Sequence, residues 1–175
     1  MNMPSSFQTV IDHFKNHSWS FQLDPQRPLL HAGFKGKNGN FRLVAVVDES
    51  DDFLQVISFV PIVVPPSKRA AAAELCARLS FPMKIGNFEL DCNDGELRFR
   101  TYTPYSKGEL KDDVIRRVVG INLVMVDQHF PAFIQVIYGN ESPTKAASQV
   151  RAPMLKGEPV TSQGELHPAG RISFN

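Results

Sequence analysis

Residues 85–100 read Ile85-Gly86-Asn87-Phe88-Glu89-Leu90-Asp91-Cys92-Asn93-Asp94-Gly95-Glu96-Leu97-Arg98-Phe99-Arg100, two alternating runs joined at Asp-Gly. This is the signature of a β-hairpin. A two-residue Asp94-Gly95 loop of type I′ pairs Asn93 with Glu96, Cys92 with Leu97 and Leu90 with Phe99. The other face then sets Asp91 opposite Arg98 and Glu89 opposite Arg100. Slipping by one residue would place Asp91 beside Leu97 and mix the faces. Opposite charges across strands add roughly 0.2–1 kcal/mol per pair, enough to favour a register but not to hold a fold. Four charges at strand spacing read as a solvated sheet face rather than an acid/base site.

Outward from the hairpin, the same period of two recurs. Trp19, Phe21 and Leu23 alternate, as do Leu30, Ala32 and Phe34, then Phe41, Leu43, Ala45 and Val47, and a fourth run spans Phe53 to about Val60. Turns fall at Asp24-Pro25, at Lys37-Asn38-Gly39-Asn40 and at the acidic stretch Asp48–Asp52. Four strands on short turns predict an antiparallel meander. Pro61, Pro65 and Pro66 should end the last strand, because proline cannot join a ladder.

Helices bracket these strands. Phe7, Val10, Ile11 and Phe14 stand at i, i+3, i+4 and i+7, behind a Ser5/Gln8 capping box. Ser67 is placed to cap a helix over Lys68–Leu79, whose stripe is Ala72, Leu75, Cys76 and Leu79. Cys76 is expected as a small buried hydrophobe. A third helix begins near Lys111–Asp113. Its apolar positions, from Val114 and Ile115 to Ile137, cover far more than a single stripe, so it should pack on both sides, against other helices or a second subunit. Pro131 should kink or split it, and Gly139 suits its C′ position. The expectation is an α+β fold with an antiparallel sheet and three main helices in the order α-ββββ-α-ββ-α. Residues 1–140 form the domain. Residues 141–175 form an extension, a short helix near Pro143–Val150 and then a flexible tail with three prolines and three glycines after Val150.

Composition narrows the function. Nineteen Lys and Arg oppose 18 Asp and Glu, a formal charge of +1. A nucleic-acid partner normally asks for a marked basic excess. No apolar run approaches the roughly 20 residues of a membrane span, and Met1–Val10 has no signal-peptide pattern, so a cytoplasmic protein with free thiols is expected.

The spacing of the chemically capable residues matches no catalytic motif. His13 and His17 stand at i and i+4 but lack the Glu of H-E-x-x-H, and read as a helix-edge pair beside the apolar stripe. Gly33-x-x-Gly36-x-x-Gly39 falls on a hairpin rather than between a strand and a helix, so it is no phosphate cradle. No nucleophile elbow or C-x-x-C occurs. His31 should project from the outer sheet face. Asp127 lies four residues before Pro131, whose ring frees the Asp127 carbonyl, and reads as a polar patch at a helix kink. No catalytic, cofactor or metal residue is expected.

The run Ile85–Asp91 followed by Asp94–Arg100, with Asp127, Pro131 and the closing Ile137-Tyr138-Gly139, resembles the YbjN family of bacterial proteins, labelled sensory transduction regulators. The resemblance covers about Phe7 to Gly139; Ser80-Phe81 departs from the Leu-Asn common in relatives, and nothing after Asn140 matches. It implies a fold like that of type III secretion chaperones, which are homodimers holding extended partner segments, often by strand addition. The expected role is a non-enzymatic, dimeric protein-interaction module, regulatory or chaperone-like, with Glu89, Asp91, Arg98, Arg100 and Asp127 as structural or interaction positions. The alternative is a small-ligand sensor with a pocket between sheet and helices, near Asp127.

Overall fold

The computed structural model describes residues 6–106, 109–155 and 167–168. The first stripe forms α1 (Ser6–Asn16), burying Val10, Ile11 and Phe14. The alternating runs form β1 (Phe21–Leu23), β2 (Leu29–Lys35), β3 (Asn40–Asp48) and β4 (Phe53–Val63). Then come α2 (Arg69–Ser80), the hairpin β5 (Asn87–Leu90) and β6 (Glu96–Pro104), and the 26-residue α3 (Asp112–Ile137). A further helix, α4 (Pro143–Leu155), packs on α2 and α3 through the buried Ala146 and Ala147. The sheet order is β1-β2-β3-β4-β6-β5, with all these pairs antiparallel, so the expected α+β architecture and meander are present. The expected flexible tail lies outside the described residues, apart from β7 (His167–Pro168), which pairs with β2.

Three local expectations are corrected, and a fourth is met with one addition. Pro61 does not end β4: the strand continues to Val63 and bulges between Phe59 and Val63, a place where a missing donor disturbs no ladder. Ser67 does not cap α2; it sits inside a 3-10 turn, Pro66–Lys68, and the N-cap position is Lys68 with no side-chain bond. Pro131 does not split α3, which runs unbroken through it. Gly139 does follow the C-cap Tyr138, but the left-handed residue is Asn140, at φ 55°.

The breadth of α3 is explained within the chain. One side packs on β4 and β6, and the rest meets α1, α2 and α4. Inward residues of the sheet form two apolar clusters. One gathers α1 with β2, β3 and the first half of α3; the other gathers α2, β5, the second half of α3 and α4. Between them lies a buried polar layer. Ser58 donates to Asn122 Oδ1 at 2.5 Å, and Asn122 Nδ2 donates to Val56 O at 2.8 Å, Phe99 O at 3.2 Å and Thr101 Oγ1 at 3.1 Å. All three side chains are fully buried. The amide thus ties the middle of α3 to β4 and β6, and no apolar residue could occupy its place without orphaning Ser58.

Part of each sheet margin is engaged. The Phe88 N–H on the outer side of β5 donates to Ser80 Oγ at 2.9 Å. The outer side of β2 is paired with β1 at Leu30–Ala32 and with β7 at Phe34–Lys35.

Two outcomes follow from the core. Asn122→Ala is expected to lower unfolding free energy by about 2–4 kcal/mol, since several buried groups lose their partner at once; urea titration with an unchanged midpoint would show the layer to be dispensable. His129 is buried against Phe88, and burial holds its pKa below 6.5 although Met125 O, 2.8 Å away, favours the charged form. Below pH 6.5 the unfolded chain takes up a proton that the folded imidazole resists, so stability falls with pH from that value down to the depressed native one. The buried His13 shifts the same way, burial outweighing its bond to Asp112. Thermal melts should drop between pH 7.5 and 5, and less steeply in His129→Gln.

Candidate functional site

The inward-facing residues just described leave the opposite face of the sheet without helices. Cross-strand registers arrange that face in rows. Arg42, Phe59, Arg98 and Glu89 form one; His31, Val44, Ile57, Arg100 and Asn87 form the next; Val46, Gln55 and Tyr102 a third; Asp48, Phe53 and Pro104 a fourth. Ile57, Phe59, Val46 and Phe53 are half-buried by their neighbours alone, and Tyr102 is exposed, stacked on Phe53. His31 projects from this face, as expected. An apolar centre flanked by guanidinium groups is a binding surface in composition.

The charges from the hairpin meet here, but not as the two-residue loop dictates. The observed pairs are Glu89 with Arg98 and Asn87 with Arg100, two residues out of the expected register. The loop is longer. Asp91 N–H closes on Glu96 O at 2.9 Å, Gly95 N–H donates to Asp91 O at 2.8 Å, and Asp91 Oδ1 accepts Asn93 N–H at 2.7 Å. Gly95 adopts φ +86° where a Cβ would strike Val64 O. A slip of two preserves the faces, so the ion pairs survive with different partners. Glu89 alone serves both arginines: Arg98 Nε donates to Oε2 at 2.7 Å and Arg100 Nε to Oε1 at 2.8 Å, with Arg100 Nη2 also on Oε1. Asp91 is a turn cap and does not face Arg98. Burial alone would raise the Glu89 carboxyl, but hydrogen bonds from Asn87, Arg100 and Arg98 outweigh it and hold the pKa below its ordinary value.

Asp127 is on the other side of the molecule, on α3, where it holds the β2–β3 turn. Its carboxylate accepts Asn38 N–H at 2.8 Å, Lys37 N–H at 3.2 Å and Asn38 Nδ2 at 3.3 Å. The carbonyl freed by Pro131 is not wasted: Asn38 Nδ2 donates to Asp127 O at 3.0 Å. Gly36 is required beside it, because a Cβ there would collide with the carboxylate. Gly36 and Gly39, two of the three regularly spaced glycines, therefore serve a close approach of hairpin to helix. A carboxylate so filled is a latch, which leaves little for the ligand-anchoring role considered for it.

His13 corrects the helix-edge expectation. It is fully buried, with Nδ1 2.6 Å from Asp112 Oδ1 across α1 and α3, and Nε2 without a partner. His17 lies against it at 4.3 Å between ring centroids. Among the described residues, no three His, Cys, Asp or Glu side chains converge to hold a metal. Cys76 is buried as expected, burial pushing its thiol up to about 12; Cys92 is exposed. No described helix is long and apolar enough to cross a membrane.

The feature no sequence pattern announced is a groove of about 530 Å³ at one rim of the open face, between the start of β3 and the bulge of β4. Asn40, Phe41 and Arg42 line one side, and Phe59–Val63 with Asp94 and Glu96 the other. The β3–β4 pairing ends at Arg42–Phe59 and the β4–β6 pairing lapses until Val63, so Val60–Ile62 have no ladder partner among the described residues.

Residues 6–135 match the family YbjN, described as "Putative bacterial sensory transduction regulator". No curated protein matches the chain. Among solved structures, it is similar to a chain of the HopA1–SchA chaperone–effector complex, at 16% identity and a TM-score of 0.49, covering 70% of this chain and 90% of that one.

The corrected register has a measurable consequence. A double-mutant cycle on Glu89→Gln and Arg98→Gln should show about 1 kcal/mol of coupling, as expected of a partly buried charge-assisted pair. The same cycle on Asp91→Asn and Arg98→Gln should show coupling near zero. Coupling at Asp91 would restore the two-residue loop.

Proposed function

This chain belongs to the YbjN family, and on that premise we propose that it is a non-enzymatic, cytoplasmic protein-interaction module of regulatory or chaperone-like kind that works as a homodimer. The observation that carries the reading is the helix-free sheet face. A six-stranded path with four helices on one side presents Ile57, Phe59, Val46 and Phe53 on the other, uncovered by any described element. Arginines border that patch, the composition favoured where partners bind. Three titratable groups are engaged in structure: Asp127 in a turn, Glu89 between two arginines, His129 in the core. The family description, a regulator of sensory transduction, supports the same direction.

A second reading, the small-ligand sensor, is favoured by the groove beside Arg42 rather than by any space near Asp127. One metabolite raising the melting temperature by several degrees would favour it.

The interaction reading is checked with a photo-crosslinking residue in place of Ile57 or, as control, of the exposed Lys15 on α1, in the native host. A discrete protein adduct is expected from position 57 and not from 15. Sedimentation at tens of micromolar should give a dimer. Equal labelling from both positions, or none from 57, would overturn the face assignment; a monomer would overturn the dimer.

A further inference from the structure

After α4 the chain returns to the sheet. In β7, His167 stands opposite Lys35 of β2 and Pro168 opposite Phe34. The next two steps of that register would set Ala169 opposite Gly33 and Gly170 opposite Ala32. Ala32 is already taken, because β1 holds it through Phe21. The chain therefore cannot follow this margin beyond Gly33, and a glycine stands where it must turn away. The residues that follow are Arg171-Ile172-Ser173-Phe174-Asn175, with Ile172 and Phe174 at strand spacing.

Of the two sheet faces at this level, only one has room. On the inner face Phe34 and Phe41 are each 1% exposed, so the core is closed there. The outer face carries the row Gly33, Arg42, Phe59. Gly33 has no side chain, which leaves the row open from the β2 margin as far as Arg42. Beyond Arg42 lies the groove, whose apolar wall is Phe59, Ile62 and Val63, the last 68% exposed.

Reach and spacing agree. Strands about 4.8 Å apart put Arg42 about 10 Å from β7 and Phe59 about 14 Å from it. Three extended residues beyond Ala169 span about 10 Å and five span about 17 Å, enough to bring Ile172 to Arg42 and Phe174 to the groove.

We propose that residues 171–175 of this chain cross the open face on the Gly33–Arg42–Phe59 row and fill the chain's own groove, Phe174 entering against Phe59, Ile62 and Val63. Ile172 lies along the aliphatic stem of Arg42. The rim holds both signs of charge, Arg42 against Asp94 and Glu96, so charge does not choose the occupant. The tether does: a segment joined to its site by a few residues is present there at an effective concentration of the order of millimolar. A partner segment or a small ligand enters this groove only in competition with it.

The probe is a fluorescein-labelled peptide of residues 169–175, read by fluorescence anisotropy against two forms of the full chain. One form is unaltered; the other carries Ile172→Ser and Phe174→Ser, which vacate the groove. The peptide should bind the second form about ten-fold tighter, because the unaltered chain already carries its competitor. Val63→Asp added to the second form should weaken the peptide roughly five-fold, since a carboxylate then meets the apolar ring. Lys15→Asp, on α1, should leave the peptide's affinity unchanged. Circular dichroism identical to that of the unaltered chain shows each variant folded. Equal affinity for the two forms, no binding at millimolar peptide, or binding indifferent to Val63→Asp would each overturn the proposal. So would a dimer that Ile172→Ser and Phe174→Ser alone turn into a monomer, because the segment would then lie on a second copy. The crosslink from Ile57 is read independently of all these, so the interaction reading stands or falls separately.

Discussion

One buried amide sets how the layers fit. Asn122 sits halfway along α3 and bonds at once to β4 and β6, through Val56 O, Phe99 O, Thr101 Oγ1 and the Ser58 hydroxyl. Apolar contacts alone would let a helix slide or roll on a sheet at small cost, because dispersion is not directional. A hydrogen-bonded amide in a dry interior allows one position only. With α3 held there, its first half meets α1 and its second half meets α2 and α4, which is why the core divides into two apolar clusters on either side of the polar layer. The same placement brings Asp127 within reach of the β2–β3 turn.

That placement also decides where the molecule is left open. Four helices gathered on one side cover most of the apolar girth of α3 within the chain, and the far face of the sheet is left without a helix. The hairpin that contributes Glu89, Arg98 and Arg100 holds its charges in a mutually neutralising set, and Arg42 is left as the cation without a described counterpart.

Much of this was legible in the chain. The period of two from Leu29 to Val60 and the stripes of α1 and α2 are local patterns driven by one-sided burial, and they survive in the fold. The hairpin faces were legible, but its register was not. Asp91 turns its own carboxylate onto the Asn93 N–H, and Gly95 is drawn against Val64, so the loop lengthens by steps that Asp-Gly alone does not encode. The roles of Asp127 and Asn38 depend on contacts 89 residues apart, and no short-range pattern reports those. The open carbonyl ahead of Pro131 was readable, whereas the amide that fills it was not. His13 looked like a surface residue because the first helix was read as packing on one face; Asp112 at the start of α3 closes over it. The groove arises from a bulge around Pro61, where a proline read as a strand end became a gap within a strand.

The small bond from Phe88 to Ser80 carries a consequence beyond β5. A broad antiparallel sheet with one bare face is the shape from which fibrils start, each copy extending the ladder of the last. Here one outward amide of β5 is already taken by a hydroxyl from α2. A copy arriving edge-on at β5 would have to displace that hydroxyl before it could extend the ladder, so a single serine side chain makes this margin resist end-to-end growth.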